Sequence, residues 1–127
     1  MIQNNTVLNI IDNSGAKIAE CIKVYSGYKR RYAAAGDTIL VTIKSLRSKR
    51  RSISKIKKGE LYKALVIRTK SKKTLANGDS ISFKENSAIL LTKQNKFVGT
   101  RIFGAVPKVF KKTKFFKLIT LSSGLIL

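Results

Sequence analysis

Histidine and tryptophan are absent from the 127 residues, and cysteine, methionine and proline occur once each. Without histidine the chain lacks the usual general base, the usual zinc ligand and every Ser-His or Cys-His nucleophile arrangement. Cys21 alone can form neither an internal disulfide nor a multi-thiolate metal site, so a small buried hydrophobe is expected there. Acids are scarce as well: Asp12, Glu20, Asp37, Glu60, Asp79 and Glu85 are scattered, with no pair spaced like catalytic carboxylates or a metal cage. Neither the Walker-type phosphate loop nor the dinucleotide Gly-rich fingerprint occurs. These absences exclude the common catalytic classes, and no enzyme, cofactor or metal site is expected.

Long apolar runs are also missing. No stretch approaches the roughly 18 to 20 apolar residues that span a bilayer as a helix. The run from Phe115 to Leu127 is broken by Lys117, Ser122, Ser123 and Gly124. The first 16 residues hold no Lys or Arg, so neither a secretory signal nor an Arg-rich transit peptide is expected there.

What is present in excess is positive charge. Against 6 acids stand 27 Lys and Arg, a net charge of +21. Self-repulsion on that scale disfavours a compact state, so a polyanion is expected close by in the working form. Residues 1–28 sum to zero, with Lys17 and Lys23 against Asp12 and Glu20, and read as ordinary core. Residues 44–73 hold thirteen basic side chains against Glu60 alone, which makes them the main anion-binding segment. A second basic group, Lys108, Lys111, Lys112, Lys114 and Lys117, follows with no acid after Glu85. Solvated faces normally mix signs, so a nucleic-acid face is the better reading of both.

Period-two alternation predicts strands at Lys17 to Val24 and Thr38 to Lys44, and β-branched content with flanking turn signals adds Thr6 to Ile11, Leu61 to Thr69, Ile81 to Phe83 and Ala88 to Thr92. Asp12-Asn13-Ser14-Gly15 and Asn77-Gly78 are turn signals, and Tyr25 to Tyr32 is a basic loop. On the second strand Ile18, Ile22 and Val24 share a face with Glu20. Ile39, Val41, Ile43, Leu65, Ile67, Ile89 and Leu91 are expected in the barrel core rather than in any ligand site. Between Ser45 and Lys58 apolar residues thin to Leu46, Ile53 and Ile56, too few to anchor the segment, so a protruding basic ribbon is expected over about 44–60. One short helix is expected near Pro107 to Lys112. Short, closely spaced strands in a single 1–127 domain argue for an all-β barrel or sandwich, and a barrel removes the exposed edges.

Three collinear segments carry a family resemblance. The first is Met1-Ile2-Gln3, Leu8-Asn9 and Asp12-Asn13-Ser14-Gly15-Ala16, continued by Cys21-Ile22-Lys23-Val24 and Arg30-Arg31-Tyr32-Ala33. In the second, Lys57-Lys58-Gly59 leads to Ala64-Leu65-Val66-Ile67-Arg68-Thr69-Lys70, then Asn77-Gly78, Phe83, Asn86 and Ile89-Leu90. The third is Gly99-Thr100-Arg101-Ile102-Phe103-Gly104 with Lys114-Phe115-Phe116-Lys117. Over nearly its whole length the chain resembles the universal family of large-subunit ribosomal protein fourteen, in its bacterial and organellar form. The resemblance implies a closed five-stranded β-barrel with a projecting basic hairpin and short C-terminal helical turns in a segment of about 105–127. It implies a structural protein that binds large-subunit rRNA, lies beside ribosomal protein nineteen, touches small-subunit rRNA in an intersubunit bridge and presents a docking surface for a ribosomal silencing factor. A free homo-oligomer is not implied. Three departures stand out. Ala105-Val106-Pro107-Lys108-Val109 displaces the family's proline and loses an acid, Ser48 to Ser54 looks like a small insertion, and Ser122-Ser123-Gly124 replaces a proline-containing ending.

The expected rRNA contacts are Lys44, Arg47, Lys49, Arg50, Arg51, Lys55, Lys57 and Lys58 on the ribbon, because a thin ribbon can follow a groove along the RNA backbone. Lys29, Arg30, Arg31 and Tyr32 form a second cluster, in which the ring is read equally as a base-stacking platform or as packing at the barrel end. Arg68, Lys70, Lys72 and Lys73 are expected to extend the surface. The resemblance places Thr100, Arg101 and Lys117 on the silencing-factor surface, with Lys108, Lys111 and Lys112 on the same protein or intersubunit face. Two other readings stay open: a free single-strand-binding or translation-factor barrel using Tyr25, Tyr28, Tyr32 and Tyr62, and a peripheral membrane protein using the tail. Twenty Lys to seven Arg, fifteen Ile and no Trp suggest an A+T-rich coding bias. With no transit peptide expected, a mitochondrial ribosome supplied by an organellar gene is the first expectation, and an A+T-rich bacterium or a plastid the alternative.

Overall fold

In Thr38–Leu46 (β3) apolar and polar residues alternate, and Ile39, Val41 and Ile43 all turn inward. Val7–Ile10 (β1) alternates likewise, and Ala16–Val24 (β2) and Leu61–Arg68 (β4) are the other long strands. A small hairpin, Lys73–Thr74 (β5) with Ser80–Ile81 (β6), precedes Ser87–Leu91 (β7). The structure is a computed structural model that describes residues 1–25, 28, 31–47, 56–74, 78–107, 110 and 117–126.

Strands β1, β2, β3, β4 and β7 close, in that order, into the expected five-stranded barrel. An odd ring cannot alternate direction all the way round, so one neighbouring pair must run parallel. That pair is β1 and β7, where Asn9 faces Ser87 and Ile10 faces Ala88; the other four pairs are antiparallel. The interior is filled by Leu8, Ile10, Ala19, Cys21, Ile39, Val41, Ile43, Ala64, Val66, Ala88 and Leu90.

Leu65, Ile67, Ile89 and Leu91 are buried but not inside the barrel. They point outward and are covered by Ile102 and Val106 of Ile102–Pro107 (β8), by Phe110 and by Leu118 of the helical turn Lys117–Leu121 (α1). Strands β4 and β7 are therefore buried on both faces, which is why Ala64-Leu65-Val66-Ile67 and Ala88-Ile89-Leu90-Leu91 read as unbroken apolar runs. Strand β8 pairs in parallel with Ser122–Ile126 (β9). The C-terminal segment is thus partly strand. Pro107 ends β8, while 108, 109, 111 and 112, where a helix was expected, lie outside the described residues.

Two local expectations are corrected. On β2, Ala19, Cys21 and Val24 are buried whereas Ile22 is 41% exposed. Register shifts at Ala16/Ile18, Ile18/Ala19 and Cys21/Lys23 break the simple alternation and change which face each residue meets. The root of the ribbon is anchored after all: Ile56 joins the interior cluster and Leu46 packs against it. Backbone bonds from Gly59 N–H to Ile43 O and from Ile43 N–H to Glu60 O carry the pairing to the root; residues 48–55 lie outside the described residues.

The parallel seam is short and is completed by side chains. Asn9 N–H donates to Asn86 O and Ile11 N–H to Ala88 O, both at 3.1 Å. At the next step Asp12 Oδ2 accepts from the buried Leu90 N–H at 3.1 Å, where a strand carbonyl would otherwise stand. Asp12 Oδ1 takes the Ser14 N–H and the Ser14 hydroxyl across the turn that Gly15, at φ 103°, completes. Burial pushes the Asp12 carboxyl above its ordinary range, and the bonds from Ser14 and Leu90 and the Arg47 charge oppose that rise.

Asp12→Ala leaves the Leu90 N–H unsatisfied in the core and is expected to cost about 2–3 kcal/mol in urea unfolding. Because the folded-state pKa is raised, the protonation-linked stability is full below the unfolded pKa and is lost as pH rises through the folded one. The stability advantage of wild type over Asp12→Asn should therefore be larger in mild acid than at neutral pH; paired urea titrations across that range check the sign.

Candidate nucleic-acid interface

The scarce carboxylates are turned to internal use. Asp12 and Glu85 brace the two ends of the seam; Glu85 accepts from Asn9 Nδ2 at 2.7 Å, Ser87 Oγ at 3.1 Å and Arg68 Nη2 at 3.4 Å. Asp37 Oδ2 accepts the Ala34 N–H, and Glu20 pairs with Lys44 Nζ at 3.4 Å. Glu60 accepts the Tyr62 hydroxyl at 2.7 Å. Burial, then the Glu60 bond and charge, push Tyr62 up to about 12, so its phenol stays a proton donor. These carboxylates thus have partners within the chain, whereas among the described residues lysines such as Lys57, Lys58, Lys70, Lys72 and Lys73 are exposed.

Of the expected ribbon residues, Lys57 and Lys58 stand exposed at the root turn, and Lys44 leans outward on β3 while holding Glu20. Lys70, Lys72 and Lys73 are exposed along the approach to the β5–β6 hairpin, whose base is fixed by the Lys70 N–H bond to Asn86 Oδ1. Arg31 and Tyr32 are exposed beside Ala33, which is locked to Ile2 by reciprocal backbone bonds of 2.9 and 2.7 Å. Lys29, Arg30, Lys49, Arg50, Arg51, Lys55, Lys108, Lys111 and Lys112 lie outside the described residues.

Two arginines differ from the rest. Arg47 Nη2 donates to Ile10 O at 3.1 Å, and its guanidinium lies 5.8 Å from the Phe103 ring centre, so it ties the ribbon root to β1 and β8 as well as facing solvent. Arg68 does not extend the exposed surface. Its side chain is 13% exposed, pairs with Glu85 and packs so tightly on Gly104 that a Cβ there would lie 2.5 Å from Nη1. Gly104, at φ 83°, meets both the backbone and the space requirement.

Thr100 and Arg101 are exposed on a loop organised by Asn13. Asn13 Oδ1 accepts the Thr100 N–H at 2.7 Å and the Arg101 N–H at 3.1 Å, and Nδ2 donates to Thr100 Oγ1 at 2.8 Å. A Cβ on Gly99 would lie 2.7 Å from Asn13 Oδ1 and 2.9 Å from Asp12 Cβ, so the approach requires glycine. Phe103 N–H then donates to Ile11 O at 2.8 Å. Lys117 is exposed at the start of α1, which leads into Ser122, the register partner of Ile102. In the sequence Asn13 reads only as a turn former; its reach over 87 residues has no local signal.

Asn13→Ala removes three hydrogen bonds from a half-buried site and is expected to cost about 1–3 kcal/mol. Amide exchange at Thr100 and Arg101 should accelerate selectively, with the barrel interior unaffected; uniform acceleration would indicate global loosening instead.

A family model described as ribosomal protein L14p/L23e matches residues 1–126. The match includes the Asp12–Gly15 turn, the doubly buried β4 and β7 runs and the Gly99–Gly104 loop, the same parts that the geometry brings together at the seam. The chain belongs to the ribosomal protein L14p/L23e family, and so is a non-enzymatic structural protein of the large ribosomal subunit with rRNA and ribosomal proteins as its partners.

Proposed function

We propose that this chain anchors to large-subunit rRNA through the ribbon and through the exposed lysines that flank β4, Lys57 and Lys58 before it and Lys70, Lys72 and Lys73 after it, and that this anchoring supports subunit assembly. The observation that carries the reading is the disposition of charge: acids are engaged inside the fold while these lysines are exposed. RNA phosphates then supply the missing counter-charge, with release of condensed cations as the driving term and folded RNA shape read through backbone and 2′-hydroxyl contacts. Arginines at 47, 50 and 51 add planar, bidentate donors suited to phosphate.

The loop at Thr100 and Arg101, with Lys117, forms the protein-facing surface in this reading. It serves an intersubunit bridge with small-subunit rRNA and the docking of a silencing factor, with ribosomal protein nineteen as neighbour; Lys108, Lys111 and Lys112 extend it. The lysine- and isoleucine-rich composition supports a chain of bacterial or organellar type, and a mitochondrial ribosome in particular.

Arg47 also holds the barrel, so the clean test neutralises the ribbon beyond it. In Lys49→Gln/Arg50→Gln/Arg51→Gln, loss of three phosphate contacts should reduce the slope of log affinity against log salt by roughly two to three. Co-sedimentation with large subunits should fall while the isolated chain keeps its far-ultraviolet dichroism. Unchanged slope and undiminished incorporation would place the anchoring surface elsewhere.

A further inference from the structure

The C-terminal cover does not extend over the whole outer face of β3, β4 and β7. Leu40, Lys63 and Leu91 form a row across the three strands, since Leu40 registers with Lys63 and Lys63 with Leu91. Beside this row, Tyr25, Leu61 and the turn carrying Lys93 and Gln94 enclose an open cavity of about 490 Å³. The turn is held by Thr92, whose N–H donates to Lys96 O at 2.8 Å and whose Oγ1 accepts the Lys96 N–H, with Asn95 at φ 63°. Leu61 is 59% and Tyr25 41% exposed, so a partly apolar, partly aromatic wall faces outward beside Lys63 and Lys93.

The charges around this cavity select its occupant. Lys23 Nζ and Lys63 Nζ each lie 5.8 Å from the centre of the Tyr25 ring, at the loose limit of a cation–π contact, so either ammonium can leave the ring for an anion. Among the described residues neither Lys63 nor Lys93 has a carboxylate partner; Glu60, the acid nearest Lys63 in sequence, is engaged by the Tyr62 hydroxyl, and Glu85, the acid nearest Lys93, by Asn9, Ser87 and Arg68. An apolar side chain from another protein would fill the cavity and leave these ammonium groups without counter-charge. A nucleotide satisfies both requirements, with a flat base against Tyr25, Leu40 and Leu61 and a phosphate between the lysines; the Gln94 amide and the Thr92 hydroxyl are at hand for base edges. The volume lies within the range of small-ligand sites.

We infer that this cavity receives one unpaired, extruded base of the large-subunit rRNA, held by stacking and by Lys63 and Lys93 on its flanking phosphate. The inference rests on the rRNA-binding reading and adds a point of base recognition to an otherwise phosphate-based attachment.

Base-specific chemical probing of large subunits carrying the full chain tests it. In wild-type subunits one unpaired base is protected; in Tyr25→Ala and Leu61→Ser its reactivity should rise at least about five-fold, with incorporation of the chain retained. Leu61 is largely exposed, so Leu61→Ser decides the matter should Tyr25→Ala fold poorly. Lys63→Gln/Lys93→Gln should give an intermediate rise at that same base. Chain present in subunits with no base altered by Leu61→Ser, or a cross-link from position 61 to a neighbouring protein, overturns the inference and leaves rRNA anchoring intact. Absence of the wild-type chain from subunits would instead overturn the rRNA reading itself.

Discussion

The parallel seam between β1 and β7 is the constraint on which the rest of the molecule depends. Five strands in a closed ring must include one parallel pair, and parallel pairing is slightly the weaker kind. Here it is also short, so the backbone ladder is continued by side chains: Glu85 at one end, holding Asn9, Ser87 and Arg68, and Asp12 at the other, holding Leu90 and Ser14. From Asp12 the connections run outward. The adjoining Asn13 fixes the loop at Thr100, Ile11 O takes the Phe103 N–H, and β8 is thereby laid over the outer faces of β4 and β7. The surface loop and the second apolar cluster are both positioned by the turn that finishes the seam.

The same arrangement accounts for the electrostatics. A chain with a net charge of +21 can least afford to leave its carboxylates idle, and they serve as hydrogen-bond acceptors and ion-pair partners within the barrel. What is left over is an almost unopposed cationic exterior, poorly suited to a compact free state and well suited to a phosphate lattice. Burying Asp12 costs desolvation, and the cost is borne because its acceptors cannot be supplied by backbone at that position.

An all-β barrel or sandwich was legible in the sequence because period-two alternation on β3 and the turn at Asp12–Gly15 are local signals, whereas the closed five-stranded ring came from the family resemblance. Cys21 was legible as core for the same reason that it could be nothing else. The errors have physical causes. Bulges on β2 moved Ile22 outward, which no pattern of residue types reveals. Leu65, Ile67, Ile89 and Leu91 were recognisable as buried, but two-sided burial and one-sided burial differ only in the partner, and that partner is contributed by the chain's end. At the site, exposed lysines were readable from charge density. The internal roles of Arg47 and Arg68 were not, because a guanidinium that holds a strand together has the same one-letter signature as one awaiting a phosphate.

The central claim is that the chain is attached to RNA through the ribbon root, which enters β4, and through the lysine segment that leaves β4 towards the β5–β6 hairpin. A high-resolution density map of the purified large subunit tests it directly. The account predicts rRNA phosphates within hydrogen-bond reach of Lys57, Lys58 and the Lys70–Lys73 segment, while Asp12 and Glu85 remain engaged at the seam. A map in which those lysines face solvent or protein, with the RNA against other surfaces of the barrel, would contradict it.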